Sequence, residues 1–282
     1  MTDLGLLSNA SLLAIAAILL IGVPHGGLDG AVARRIGWPS GTVPWILFHL
    51  IYLLLAASVA GLWWLYPLPS LIFFLLISAL HFGSSDMRHI NAPSARSSWL
   101  PLIAHGGLVV IAIPVFQSAA VEPLFALLVG ADNSLWLLKQ IDYLLLPWVA
   151  CLTAYLIYSV YQPRWRTALL NLGLLTVLAY LLPPLVSFAL YFCLWHSRSH
   201  MQRIWQSIAL DQRRRSAIET AVYSLLAYAA ATLYFVLQAD SDSSATATPA
   251  LIQLTFIGLA ALTVPHMLLI DFIHGQREEQ HD

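Results

Sequence analysis

Thr167–His200 reads TALLNLGLLTVLAYLLPPLVSFALYFCLWHSRSH. From Thr167 to Trp195 it holds no Asp, Glu, Lys or Arg, and its one interruption is Pro183-Pro184. A helix needs about 20 apolar residues to span a bilayer. The first half, 167–182, is short for a crossing. The second, 184–204, is long enough, and it carries His196 and His200 in its last turns. Ionisable groups at membrane depth are costly and by default mark a functional site. This stretch therefore sets two expectations, helices in a bilayer and a histidine site at one end of them.

The rest of the chain follows the same pattern. Its 282 residues are 59% hydrophobic and 10% charged, where a soluble domain carries about 25% charged residues. That excludes an ordinary cytosolic globule, and a net charge of −1 offers no nucleic-acid signal. Apolar segments place helices at about 4–24, 43–66, 69–84, 99–117, 142–161, 167–182, 184–204, 217–238 and 250–273. Segment 119–130 is too short to cross and reads as an interfacial or re-entrant piece. The first run has only Asp3 before it and no basic region, so it reads as a retained membrane helix rather than a signal peptide. The fold expected is an all-α, polytopic bundle of about nine transmembrane helices in the cell membrane, forming a single catalytic domain over 1–282. With the N-terminus outside and the C-terminus cytoplasmic, Arg34, Arg35, Arg88, Arg96, Arg164, Arg166, Arg203, Arg213–Arg215 and Arg277 all fall inside. Lys139 alone breaks this positive-inside pattern. Cys151 and Cys193 lie in apolar runs without a CxxC spacing, which reads as packing.

The arginine-derived topology puts His25, His81, His196, His200 and His266 at one depth, in the inner half of their helices. Several imidazoles with nearby carboxylates among apolar helices suit a buried transition metal. His196 and His200, at i and i+4, share one helix face and can bind one ion. Asp29, Asp86 and Asp271 each follow a histidine by four or five residues. Each either orients an imidazole by accepting its second N–H or is an interfacial helix-end residue. His266 reads as a pocket residue or one standing behind the ligands. His49 and His105 lack an acid within one turn and read as hydrogen-bonded packing histidines. Tyr191, Phe192 and Trp195 flank the histidine pair, and with Phe73, Phe74 and Phe82 they either line a slot for a flat, apolar substrate or simply pack the core. His25-Gly26-Gly27-Leu28 recurs as His105-Gly106-Gly107-Leu108, a short echo that chance could produce. No GxxxxGK[ST], GxGxxG after a strand, HExxH or GxSxG occurs, so phosphate-loop, zincin and serine-hydrolase chemistry has no local support.

Gly22-Val23-Pro24-His25-Gly26-Gly27-Leu28-Asp29, His81-Phe82-Gly83-Ser84-Ser85-Asp86, Trp195-His196-Ser197-Arg198-Ser199-His200 and Pro265-His266-Met267 occur in this order. In them the chain resembles the Brp/Blh family of membrane β-carotene 15,15′-dioxygenases across nearly its whole length. The resemblance implies O2-dependent cleavage of β-carotene at its central double bond into two all-trans retinal. It also implies a non-haem Fe(2+) held by His25, His81, His196 and His200, and retinal supply to a microbial rhodopsin. Two other readings stand beside it. A membrane di-metal hydroxylase or desaturase needs about eight or more histidines in HxxxH and HxxHH clusters, whereas this chain has one HxxxH and no HxxHH. A non-enzymatic carotenoid or retinal binder, or a transporter, would carry pigment or ions and yield no aldehyde.

Overall fold

The computed structural model describes residues 8–87, 99–239 and 247–270, which contain no strand. Helix α1 runs Asn9–Arg35, α2 Thr42–Leu65 and α3 Pro67–Met87. Helix α4 runs Trp99–Phe116, α5 Ser118–Val129, α6 Ala131–Tyr161 and α7 Arg166–Leu181. Helix α8 occupies 184–207, α9 Leu210–Ala239 and α10 Ala247–Met267. Seven of these (α1, α2, α3, α4, α6, α9 and α10) are long and apolar enough to cross a membrane. Helix α7 has 16 residues, the shortness its segment shows in the sequence. The chain is an all-α, polytopic membrane bundle. Its outer surface is aliphatic: Ile46, Leu50, Leu53 and Leu54 on α2 are all exposed, as suits helices solvated by lipid rather than water.

Local chemistry sets the helix ends. The Ser8 hydroxyl accepts the Ser11 N–H at 3.2 Å and caps α1. Gly41 and Gly130 adopt φ of +119° and +88° in the turns entering α2 and α6, a region costly for residues with a Cβ. Pro67 and Pro184 begin α3 and α8, where the missing N–H is no loss. Three helices reach further than hydropathy alone suggests. Helix α1 continues past 24 because Gly26–Leu28 tightens into a 3-10 turn instead of breaking, and Asp29 resumes the α-helix. Helix α6 begins at Ala131 because Leu137 and Ile141 bury one face of an otherwise polar turn. Helix α9 begins at Leu210 because its arginine-rich start favours helix although it is not apolar.

The described chain divides into two compact units, with boundaries between Ser70 and Leu71 and between His196 and Ser197. The first comprises the described residues up to Ser70 and from Ser197 onward. In it α2 packs along α10, and α9 crosses α1 at Gly26–Leu28. Val32, Ala33, Ile36, Phe48, Leu269 and Ile270 form an apolar core there, with Trp38, Trp45 and Tyr52 packed against it. Arg34 at the end of α1 donates to both Glu219 carboxylate oxygens, at 3.0 and 2.7 Å, and to Ser216 at 3.0 Å.

The second unit comprises Leu71–His196. Its central contact is a backbone-to-backbone approach of α3 and α4. A Cβ on Gly83 would lie 2.2 Å from the Leu102 carbonyl oxygen, and one on Gly106 would lie 2.1 Å from that of Ala79. Trp148 of α6 donates its indole N–H to the Ala104 carbonyl at 3.0 Å, which braces α4 from its other side. Gly106→Ala is expected to lower stability by about 1–3 kcal/mol through overpacking. Gly173, in α7, has open space at its Cβ position. Gly173→Ala should therefore leave stability unchanged or raise it by up to about 1 kcal/mol through helix propensity. Thermal unfolding of both variants in detergent checks the contrast.

Candidate metal centre

In the first unit the approach to His25 is a distorted stretch of α1. Ile18–Gly22 forms a wide π turn and Pro24 follows it. Proline has no N–H to offer the carbonyl one turn back, that of Leu20. The Tyr228 hydroxyl of α9 compensates locally, lying 3.1 Å from the Leu19 carbonyl and 3.5 Å from that of Leu20. His25 Nδ1 donates to the Gly22 carbonyl. A carbonyl can only accept, so Nδ1 holds a proton, which in the neutral ring leaves the lone pair on Nε2.

Asp29 lies one turn beyond His25, but its partners come from other helices. His266 Nδ1, on α10, donates to Asp29 Oδ1 at 2.7 Å. The Tyr52 hydroxyl, on α2, donates to Asp29 Oδ2 at 2.9 Å, with the Leu262 carbonyl 3.2 Å away. The carboxylate thereby fixes the His266 tautomer, again with the lone pair on Nε2. The rings of His25, His200 and His266 are buried together. Their centroids stand 5.8 Å apart for His25–His200, 4.9 Å for His25–His266 and 5.0 Å for His200–His266.

The second unit builds a parallel arrangement. His81 and His196 bring Nε2 to Nε2 at 3.2 Å, with ring centroids 4.9 Å apart. Leu190–Ser197 is a π-helical stretch. Such turns recur at functional sites, and this one carries Tyr191, Phe192 and His196 inward together. Phe82 stands edge-on to His196 at 4.8 Å and to Tyr191 at 5.3 Å, and Phe192 stacks on His196 at 6.1 Å. Asp86 accepts His105 Nδ1 at 3.2 Å and the Tyr191 hydroxyl at 3.1 Å. His105 Nε2 and the Tyr155 hydroxyl are buried and form no hydrogen bond with the described residues.

The remaining sequence candidates lie as follows. Trp195 and Phe74 are half-buried. Phe73 is 54% exposed, on the outer side of α3. Asp271 falls outside the described residues. His49 sits among Trp45, Phe48 and Tyr223, with its Nε2 3.0 Å from the Tyr223 hydroxyl. Tyr52 and the His105–Asp86 pair carry polar roles that sequence spacing does not reveal, because each partner comes from another helix. The repeated His-Gly-Gly-Leu at 25–28 and 105–108 is the one signal that singles out His105.

The donor set can be tested against a metal ion. At a metal–nitrogen distance of about 2.1 Å, two neighbouring imidazole nitrogens stand about 3.0–3.4 Å apart and their ring centroids about 4.5–5.2 Å apart. The His81–His196 nitrogen separation of 3.2 Å falls within that range. So do three of the four centroid separations, and His25–His200, at 5.8 Å, is slightly long. Among the described residues, no three His, Cys, Asp or Glu side chains already close on one point. Within each unit the imidazoles thus fit a divalent transition metal in chemistry and in pairwise spacing.

Tyr191→Phe removes one of the two donors that the described residues give the buried Asp86 carboxylate. It is expected to cost about 1–3 kcal/mol, read by unfolding in detergent. The cost should shrink in an Asp86→Asn background, since the two residues share one interaction.

Residues 16–274 match the family described as beta-carotene 15,15'-dioxygenase. The chain is 38% identical over 270 residues to the beta-carotene 15,15'-dioxygenase of uncultured marine bacterium 66A03, covering 92% of each chain. It is 26% identical over 220 residues to the probable beta-carotene 15,15'-dioxygenase Blh of Halobacterium salinarum, covering 70% of this chain and 61% of that one. No solved structure matches it significantly.

Proposed function

Because the chain belongs to the beta-carotene 15,15'-dioxygenase family, we propose that it cleaves β-carotene at the central double bond into two all-trans retinal. One O2 is consumed per double bond broken, and the two aldehydes account for both of its oxygen atoms. The reading places the chain in the cell membrane as a single catalytic domain, with the N-terminus outside and the C-terminus cytoplasmic. A microbial rhodopsin is the partner that would use the product.

The residues that would hold the metal, Fe(2+) in this reading, are His25, His81, His196 and His200. The observation that carries this most directly is the 3.2 Å approach of the His81 and His196 Nε2 atoms, since two motif histidines present ligating atoms at ligand spacing. Bound iron would supply the activation of O2 that reaction with a closed-shell polyene needs. The protein's own work is placement. The Gly22 carbonyl holds the His25 tautomer, as Asp29 holds that of His266 and Asp86 that of His105. Phe82, Tyr191 and Phe192 form an apolar wall beside His196 that excludes water and grips a flat polyene. Half-buried Phe74 and Trp195 and exposed Phe73 are the further aromatic contacts this reading assigns to the polyene. Cleavage position is set by which double bond these rings hold in register. Oxygen insertion into an alkene needs no general base, and none is assigned.

Expression in a β-carotene-producing bacterium tests the reading. Wild type should bleach the cells and accumulate retinal on chromatography, while His196→Ala should lower retinal by about 100-fold or more, the scale expected when a metal ligand is lost. Chelation of the purified protein should abolish cleavage, and Fe(2+) should restore it, with one metal per chain. Two metals per chain would instead favour the hydroxylase reading. Unchanged β-carotene in a well-expressed, iron-loaded protein would sink the assignment.

A further inference from the structure

His266 is absent from the ligand set that the family motifs imply, yet it is built like a ligand. A metal-binding histidine nearly always donates its second N–H to a carboxylate or carbonyl, which fixes its tautomer and raises its basicity. His266 makes that donation at 2.7 Å, to a carboxylate that Tyr52 also holds. His25 has a carbonyl in the same role. The Asp29 carboxylate is one turn from His25 on α1, but it reaches across to α10 instead. His266 is buried, and its ring centroid lies 4.9 Å from that of His25 and 5.0 Å from that of His200. Two imidazoles on one ion stand about 4.5–5.2 Å apart by centroid. Both His266 separations fall in that window, and they fit it better than the 5.8 Å between His25 and His200 themselves.

We propose that His266 is a further metal ligand, completing a three-histidine face with His25 and His200, and that Asp29 and Tyr52 are its positioning residues. This rests on the reading above, that His25 and His200 bind the metal. Helix α10 supports the placement. Pro265 interrupts its hydrogen-bond ladder, and residues 268–270 widen into a π turn directly after Met267. The distortion sets the imidazole by local backbone geometry rather than by helical period.

The test uses the full-length protein purified in detergent, with metal content and the visible spectrum of the Co(2+)-substituted form as readouts. The variants are His266→Gln, His266→Ala and Asp29→Asn. His25→Ala serves as the loss-of-metal control, and His49→Gln as a packing histidine of the same unit. Gel filtration and circular dichroism report folding. The proposal expects both His266 variants to bind Co(2+) about 10-fold more weakly or worse, with shifted ligand-field bands. Asp29→Asn should weaken binding about 10–100-fold while keeping band positions near wild type, since the ligand is still there. His49→Gln should bind normally. Should His266→Ala misfold, His266→Gln and Asp29→Asn decide the matter. Wild-type affinity and spectrum in His266→Gln, while His25→Ala loses the metal, would overturn the proposal and leave the functional reading standing. Retention of metal in His25→Ala as well would overturn both.

Discussion

A buried carboxylate in lipid must be given its hydrogen bonds by the protein, because no water is there to supply them. Asp29 and Asp86 meet that demand in the same way. Each accepts one imidazole Nδ1–H and one phenol O–H, all from other helices: His266 and Tyr52 for Asp29, His105 and Tyr191 for Asp86. The arrangement works in both directions. The donors stabilise the charge, and the charge fixes the rings. Helices α1, α2 and α10 are tied through Asp29, and α3, α4 and α8 through Asp86. A polar interaction with so few alternatives in an apolar setting specifies one arrangement of these helices where van der Waals packing alone would allow several.

The consequence for chemistry follows from tautomers. An imidazole with its proton held at Nδ1 has its lone pair on Nε2 and no choice in the matter. His25, His105 and His266 are all in that state, two by carboxylates and one by a backbone carbonyl. Rings oriented in advance would need no reorganisation to receive a metal. For a metal bound as proposed, the surrounding apolar and aromatic side chains would raise the strength of each electrostatic contact and keep water from competing for it. The same apolar surroundings would suit the hydrocarbon polyene of the proposed reaction.

How much of this is legible in the sequence depends on the range of the interaction. The helices are legible, because apolar runs bounded by proline, glycine and arginine need only local information. The histidines stand out because ionisable residues are rare in such runs. The partners are not legible, since Asp29 and His266 are 237 residues apart and Asp86 and Tyr191 are 105 apart. Spacing within one helix turns attention to His25 as the neighbour of Asp29 and leaves His105 without an acid, and the structure supplies partners from other helices. Phe73 and Phe74 show the same limit on the apolar side. Hydropathy cannot say which of two adjacent phenylalanines turns inward, and Phe73 turns out.

Helical period fails for a further physical reason. The segments next to His25, His196 and His266 are not regular α-helix but π turns, and residues i and i+5 come onto a common side in such a turn. Tyr191 and His196 are five apart, which an α-helix would set on different faces, yet both are buried beside Phe82. The wide turns weaken backbone hydrogen bonding, and the prolines at 24 and 265 add to that by removing donors. Side chains such as Tyr228, which reaches the Leu19 and Leu20 carbonyls, offset part of the loss. Distortion concentrated at three histidines, and compensated from neighbouring helices, is what a site needs when its side chains must point where a regular helix would not send them.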